Sequence, residues 1–135
     1  MAVGAECIID DHPGYMPYVK DQALDNVLKE NAVGLVGEGK VKEKGHSTGS
    51  TDLGDFSCVM PTTSIGMGGV AGVGHGRDYR IVDSYIAYVL PAKTLAATTI
   101  DLLYGDAENA NKIIMGFKPS IPRDGYVDFM LSLAA

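Results

Sequence analysis

The stretch from Gly45 to Gly76 decides how this chain is interpreted, and it reads GHSTGSTDLGDFSCVMPTTSIGMGGVAGVGHG. It contains two of the three histidines, His46 and His75, and two aspartates three residues apart, Asp52 and Asp55. Glycine costs backbone entropy wherever it is ordered, so this density indicates a backbone that bends sharply or approaches something closely. His75, at the end of the run, is the candidate for what the loop presents.

Size and charge limit the classes of protein to consider. The chain has 135 residues, which is one domain or less. It is 46% hydrophobic and 21% charged, as ordinary globular proteins are. Its formal net charge is −6, and the lysine cluster at Lys40, Lys42 and Lys44 is interrupted by Glu43. Because a nucleic-acid partner requires a basic surface, we expect none.

The cysteines and the apolar runs predict the compartment. Cys7 and Cys58 are isolated, and no secretory signal opens the chain. We find no apolar run in the sequence that looks long enough to cross a membrane. The sequence therefore predicts a cytoplasmic protein with no membrane partner.

The secondary structure predicted from the pattern is α/β, poor in strands and rich in helices towards the C-terminus. Residues 5–9, Lys40–Lys44 and Thr62–Ile65 are predicted strands, while Tyr79–Val82 and Tyr85–Leu90 are extended or ambiguous. A first helix begins after the N-cap Asp21 and ends at Gly37. Three more are expected: Pro91 to Tyr104, stopped by Gly105; one capped by Asp106 and running to about Met115; and one opened by Pro122. Because isolated strands are unstable, their sheet needs further chain to complete it.

Two features of the glycine-rich stretch suggest ligands. Gly66, Gly68 and Ala71 fit a dinucleotide-binding G-x-G-x-x-A only loosely, since the glycines continue and no helix opens at Gly69. His75 is flanked by glycines, so either a solvent-facing or a metal-binding role is consistent with its position. A zinc ion takes about four ligands, so His75 alone is an incomplete site.

The aspartates Asp52 and Asp55 allow two interpretations. Three residues apart, they could face together on a helical turn, or they could cap a short helix from Phe56 to Val59. The capping interpretation is favoured. His46 is ambiguous in the same way as His75, and His12, beside Pro13, is expected in a surface turn.

Several blocks of the sequence, taken in order, resemble one enzyme family. The chain looks like the C-terminal part of the zinc-dependent amidohydrolases and metallopeptidases related to aminoacylase, carboxypeptidase G and p-aminobenzoyl-glutamate hydrolase. The blocks are Pro13-Gly14-Tyr15-Met16-Pro17, the helix from Asp21, Gly49-Ser50-Thr51-Asp52-Leu53-Gly54-Asp55-Phe56-Ser57 with Pro61, Gly74-His75, Pro91-Ala92-Lys93 and Leu102-Leu103. The run G-S-T-D-x-G-D-x-S followed at this distance by G-H is the most specific of them.

The resemblance implies a fold and a site. It implies a three-layer α/β/α sandwich around two zinc ions (manganese or cobalt being alternatives), interrupted by a lid domain that makes a dimer. Residues 1–12 would be the end of the lid or a crossover strand, and residues 13–135 the C-terminal half of the catalytic domain. His75 would be a metal ligand, and the substrate would lie against backbone and small side chains of Gly49, Ser50, Thr51, Asp52, Gly68 and Gly69.

The same resemblance implies an activity that this chain cannot perform unaided. The family hydrolyses the amide bond of an N-acyl amino acid or small peptide with metal-activated water and a glutamate base. The segment that carries the base and the other metal ligands has no counterpart here, so no catalytic residue is assigned and the N-terminal half of the catalytic domain is an expected partner. The alternative is a non-catalytic truncated paralogue that oligomerises or binds a small ligand. Exposed sheet edges left by the missing half favour self-association, so a homo-oligomer is expected.

Overall fold

The computed structural model describes residues 4–10, 12–43, 45 and 49–133, and the described part is mainly helical. Its elements, in chain order, are α1 (Gln22–Val36), a 3-10 turn (Glu38–Lys40), α2 (Leu53–Val59), β1 (Val70–Ala71), β2 (Arg80–Ile81), a π-helical turn (Tyr85–Val89), α3 (Leu90–Gly116) and α4 (Tyr126–Ser132). The two strands form one antiparallel pair, with Val70 opposite Ile81. This pair is too small to decide whether the chain belongs to an α/β fold, which stays a prediction.

Helix α1 begins and ends where the sequence predicts. The Asp21 carboxylate accepts a hydrogen bond from the Leu24 N–H at 2.9 Å, which satisfies one free donor of the first turn. At the other end the Gly37 N–H donates to the Val33 carbonyl oxygen at 2.7 Å. The φ of Gly37 is +88°, a conformation that glycine adopts at low cost.

The predicted strands before Gly66 are not formed among the described residues. Residues 5–9 and 62–65 carry no strand, and in Lys40–Lys44 the described residues are the end of a 3-10 turn at Lys40 and irregular backbone at 41–43. Extended backbone becomes a strand only when another segment pairs with it, and the described residues offer none. Ile8 and Ile9 accordingly remain 89% and 86% exposed.

The C-terminal half is more helical than the sequence indicates. Tyr85–Leu90, predicted as extended or ambiguous, leads as a helical turn directly into α3. The predicted break is confirmed, since the backbone leaves helical angles from Tyr104 to Ala107. The last helix begins at Tyr126 rather than at Pro122, because a turn closed by the Gly125 N–H on the Pro122 carbonyl oxygen comes first.

The core is small and lies mainly where α1 packs against α3. Its buried apolar side chains are Leu28, Ala32, Cys58 and Leu90, and Asp25, Ser57, Thr62, Thr94 and Thr98 are also buried. Among the described residues, Thr94 is the one side chain less than 2% exposed. A core whose most buried side chain is a threonine excludes water from very little apolar surface.

The segment from Tyr85 to Gly116 differs from the sequence prediction in one respect. By length and composition alone it is long and apolar enough to cross a membrane, with an 18-residue window of mean hydropathy 1.3 that is 11% buried. The core helix of a soluble protein passes the same test of length and composition, but such a helix is mostly buried.

Candidate functional site

Helix α2, which carries most of the G-S-T-D-x-G-D-x-S run, lies against the Pro-rich segment near Met16. The Asp55 carboxylate accepts a hydrogen bond from the Met16 N–H at 2.9 Å. The Ser57 hydroxyl accepts one from the Val19 N–H at 3.1 Å and donates to the Gly54 carbonyl oxygen at 2.7 Å. The first and third blocks of the resemblance, almost forty residues apart in sequence, are therefore in direct contact.

Gly54 permits this contact. A Cβ built on its backbone would overlap the carbonyl oxygen of Met16, which is main-chain and cannot turn aside. The backbone of α2 thus approaches the segment before α1 more closely than any other residue would allow.

Helix α2 also holds the C-terminal part of the chain. The Ser120 N–H donates to the Cys58 carbonyl oxygen at 3.0 Å. Burial, the charge of Asp55 and a hydrogen bond with that carboxylate together raise the pKa of the Tyr126 hydroxyl. Asp55 is therefore engaged with both the Met16 backbone and Tyr126.

The four predicted substrate residues before α2, from Gly49 to Asp52, form the segment that leads into this helix, here called its entry. Ser50 and Asp52 are exposed, and the Thr51 hydroxyl donates to the Asp52 carboxylate at 3.0 Å. The Thr51 carbonyl oxygen accepts the Gly54 N–H at 3.0 Å. Asp52 occupies the N-cap position, but its side chain makes no capping hydrogen bond, so the predicted capping role is met in position only. Gly49 lies at the exposed start of this entry.

The other two predicted substrate residues, Gly68 and Gly69, precede β1. The φ of Gly69 is +79°, and its carbonyl oxygen accepts both the Val82 N–H at 2.9 Å and the Asp83 N–H at 3.1 Å. A Cβ there would lie 2.5 Å from the Asp83 carbonyl oxygen. Gly69 therefore closes the base of the loop that carries His75, while Gly68 is exposed beside it.

His75 lies at the tip of that loop. Its φ is +64°, which a residue with a side chain adopts only when the surrounding turn requires it. The turn is closed by the Gly76 N–H on the Val73 carbonyl oxygen at 2.8 Å and by the Val73 N–H on the Asp78 carboxylate at 3.4 Å. His75 is exposed, so its imidazole is accessible to a ligand.

The donor set near His75 is incomplete. Within residues 4–10, 12–43, 45 and 49–133, no three His, Cys, Asp or Glu side chains stand together in a way that could hold a metal ion. His46, for which the sequence allowed a solvent-facing or a metal-binding role, lies outside the described residues. One imidazole fits a metal as a single ligand, and the remaining ligands would have to come from another part of the protein.

A buried polar network that the sequence pattern did not reveal holds the N-terminus of α1. Asp25 is 9% exposed, and its carboxylate accepts hydrogen bonds from the Lys20 ammonium at 2.6 Å and the Thr63 hydroxyl at 2.8 Å. Burial would raise the pKa of Asp25, but these two donors outweigh it and lower the pKa. The hydrogen bond to Asp25 raises the pKa of Lys20. Periodicity could not find this network, because Thr63 is 38 residues from Asp25.

Comparison with models of protein families, with curated proteins and with solved structures finds no match. The family resemblance therefore rests on the sequence blocks themselves.

Proposed function

We propose that this chain is the C-terminal half of the catalytic domain of a metal-dependent amidohydrolase, and that it acts only together with an N-terminal half. The observation that carries the proposal is the contact between Pro13–Pro17 and Gly49–Ser57, two blocks that the resemblance identified independently. Asp55 makes this contact with its side chain, and Ser57 extends it to Val19, two residues beyond Pro17. Asp55 and Ser57, which belong to the family motif, thus share a role in positioning the segment from Met16 to Val19.

In this proposal the Asp55 and Ser57 side chains hold the structure of the site in place and take no part in the reaction. They hold the backbone of α2, so that the entry from Gly49 to Asp52 is presented at a fixed place. Ser50 and Asp52 then face a substrate with exposed polar groups. The substrate class is an N-acyl amino acid or small peptide, whose amide C–N bond is broken by addition of water to give a carboxylate and an amine.

His75 would supply one metal ligand from its glycine-flanked loop. A metal ion held by a complete ligand set would activate the attacking water. The contribution of this chain is to place an exposed imidazole, through the turn that Gly69 and Asp78 close. The base and the other ligands are expected from the N-terminal half.

Metal content and amidase activity test the proposal. The chain is purified with and without the co-expressed N-terminal half of an aminobenzoyl-glutamate hydrolase-like enzyme, as wild type, His75→Ala and His12→Ala. His12 is exposed, its Nε2 lies 3.3 Å from the Asp10 carboxylate, and it is distant in sequence from every proposed site residue, so it is the matched control.

We expect two metal ions per complex and hydrolysis of an N-acyl amino acid, with His75→Ala losing one metal ion and His12→Ala unchanged. Equal metal content and activity in wild type and His75→Ala would refute the role of His75. A chain that is well folded, contains no metal and does not bind the N-terminal half would favour the non-catalytic paralogue.

A further inference from the structure

The segment from Phe56 to Ile100, which contains the His75 loop, has a charge balance opposite to that of the whole chain. Its charged residues are Arg77, Asp78, Arg80, Asp83 and Lys93. Three cations against two acids give the segment a formal charge of +1, whereas the chain carries −6. Two of the three cations are arginines that follow His75 within five residues. The partners of these five side chains therefore show whether the loop can bind an anion.

Both acids of this segment bind the backbone. The Asp78 carboxylate accepts a hydrogen bond from the Val73 N–H at 3.4 Å, and the Asp83 carboxylate accepts one from the Ile86 N–H at 3.0 Å. Neither carboxylate forms an ion pair with a described residue. The two acids therefore hold turns in place and do not pair with the arginines.

Two of the three cations are also engaged within the chain. The Arg80 guanidinium donates a hydrogen bond to the Asp78 carbonyl oxygen at 3.3 Å. The Lys93 ammonium donates one to the Tyr85 hydroxyl at 3.3 Å and lies 5.3 Å from the centre of that ring. Arg77 is exposed and makes no hydrogen bond or ion pair with any described residue. Within the described part of the chain, it is the one charged side chain of this segment whose guanidinium is open to a ligand.

The loop places Arg77 close to His75 on a tightly folded backbone. A Cβ at Gly72 would overlap the Asp78 carbonyl oxygen, and a Cβ at Gly76 would lie 2.7 Å from the Asp78 carboxylate. The loop is therefore closed around Asp78, with glycine at both points of contact. Because successive Cα atoms are about 3.8 Å apart, the Cα atoms of His75 and Arg77 are at most about 7.6 Å apart.

A planar guanidinium binds carboxylate or phosphate groups with two parallel hydrogen bonds. The proposed reaction supplies a carboxylate. In an N-acyl amino acid, the free carboxylate is joined to the scissile carbonyl carbon only through the amide nitrogen and the α-carbon. A group that binds this carboxylate must therefore lie close to the ligands of the metal ion that activates water. Arg77, two residues from the proposed ligand His75, meets this condition.

We propose that Arg77 binds the free carboxylate of the substrate, and that it makes the enzyme selective for N-acyl amino acids over amides whose carboxylate is blocked. The proposal rests on the proposed function for the identity of the substrate. The choice of residue rests on the partners of the other four charged side chains. An otherwise identical compound with a neutral carboxamide is expected to bind less well, because it cannot form the charge-assisted hydrogen bonds with the guanidinium.

The test measures binding before catalysis. The isotope-labelled chain is titrated with N-benzoylglycine, with its neutral amide N-benzoylglycinamide and with inorganic phosphate, and the backbone amide signals are followed by NMR. The variants are wild type, Arg77→Gln and Arg123→Gln, and circular dichroism confirms that each is folded. Arg123 is the matched control, because it is also an exposed arginine without a partner among the described residues, but lies outside the loop. The same variants are then assayed with the co-expressed N-terminal half.

We expect N-benzoylglycine, but not its amide, to shift the amide signals of residues 73–80 in wild type and in Arg123→Gln. Arg77→Gln should weaken this binding at least about tenfold. In the complex, Arg77→Gln should raise the KM for N-benzoylglycine by a similar factor and change kcat less. The hydrolysis of N-benzoylglycinamide should be the same as in wild type.

Three results would overturn the proposal: no shift in the loop with N-benzoylglycine, equal weakening by Arg77→Gln and Arg123→Gln, or tighter binding of phosphate than of N-benzoylglycine. Shifts that depend on Arg77, together with a complex that hydrolyses neither compound, would refute the proposed function and leave the carboxylate site standing. Hydrolysis of N-benzoylglycine with the same KM in wild type and Arg77→Gln would refute the carboxylate site and leave the proposed function standing.

Discussion

The two sides of this molecule are held in different ways. Around α2 and the N-terminus of α1, buried polar groups find partners within the chain, as Asp25, Asp55 and Ser57 do. On the side of α3 that faces away from α1, here called its outer face, large apolar side chains such as Leu95, Ile100 and Leu103 remain 54%, 62% and 61% exposed. The first region is stabilised by interactions within the chain, whereas the second presents an apolar surface to a binding partner. Substitutions should therefore act on stability in one region and on association in the other.

Gly54→Ala should have the largest effect on the self-contained region. The added methyl group would overlap the Met16 carbonyl oxygen, so the segment around Met16 must move and the hydrogen bonds from Met16 and Val19 must break. We expect a loss of about 3 kcal/mol or more in the free energy of unfolding. Urea denaturation followed by circular dichroism measures it. Gly34→Ala, with open space around the added Cβ, is the control and should be neutral or slightly stabilising.

Leu28→Ala tests the contact between the two long helices. Leu28 is 3% exposed on α1, and its removal leaves a cavity that the small side chains on the side of α3 towards α1 cannot fill. We expect a loss of about 2–3 kcal/mol in the free energy of unfolding. A change below about 0.5 kcal/mol would mean that the α1–α3 contact contributes little to the fold.

Asp25→Asn should lower the free energy of unfolding by a smaller but still clear amount. The substitution keeps the shape of the side chain and removes the charge that Lys20 and Thr63 bind. We expect a loss of about 1–2 kcal/mol at pH 7. Asp128→Asn, on the exposed surface of α4, is the matched control and should change stability by less than about 0.5 kcal/mol.

The same network predicts a pH dependence. Because the pKa of Asp25 is lowered on folding, its contribution is present above the ordinary carboxyl pKa of about 3.9 and is lost as the pH falls through the lowered value. The pKa of Lys20 is raised, so its contribution is present below about 10.4 and is lost as the pH rises through the raised value. The stability difference between wild type and Asp25→Asn should therefore be largest between about pH 5 and 9 and should shrink in acid. A difference that is constant from pH 3 to pH 7 would contradict this assignment.

The division between the two regions also explains what the sequence could predict. Helix α1, with Asp21 and Gly37 at its ends, and the break after Leu103 follow from local signals that act within a few residues. The strands at 5–9 and 62–65 depend on pairing partners, which no local signal supplies. Asp55 illustrates the limit at the site: its spacing from Asp52 suggested a cap or a ligand, but its carboxylate binds the Met16 N–H, a contact set by tertiary structure. Whether the metal and substrate residues act as proposed depends on groups outside the described chain.

Leu95→Ala gives the smallest effect and the sharpest comparison, because the same substitution at Leu28 removes the same atoms from the other region. Leu95 is 54% exposed, so truncation leaves no closed cavity and alanine favours the helix. We expect the free energy of unfolding of the isolated chain to change by less than about 0.5 kcal/mol. A loss as large as that of Leu28→Ala would mean that the outer face is already packed within this chain or between its copies, and the contrast between the two regions would disappear. Measuring both variants at several protein concentrations separates these cases, since only association makes stability depend on concentration.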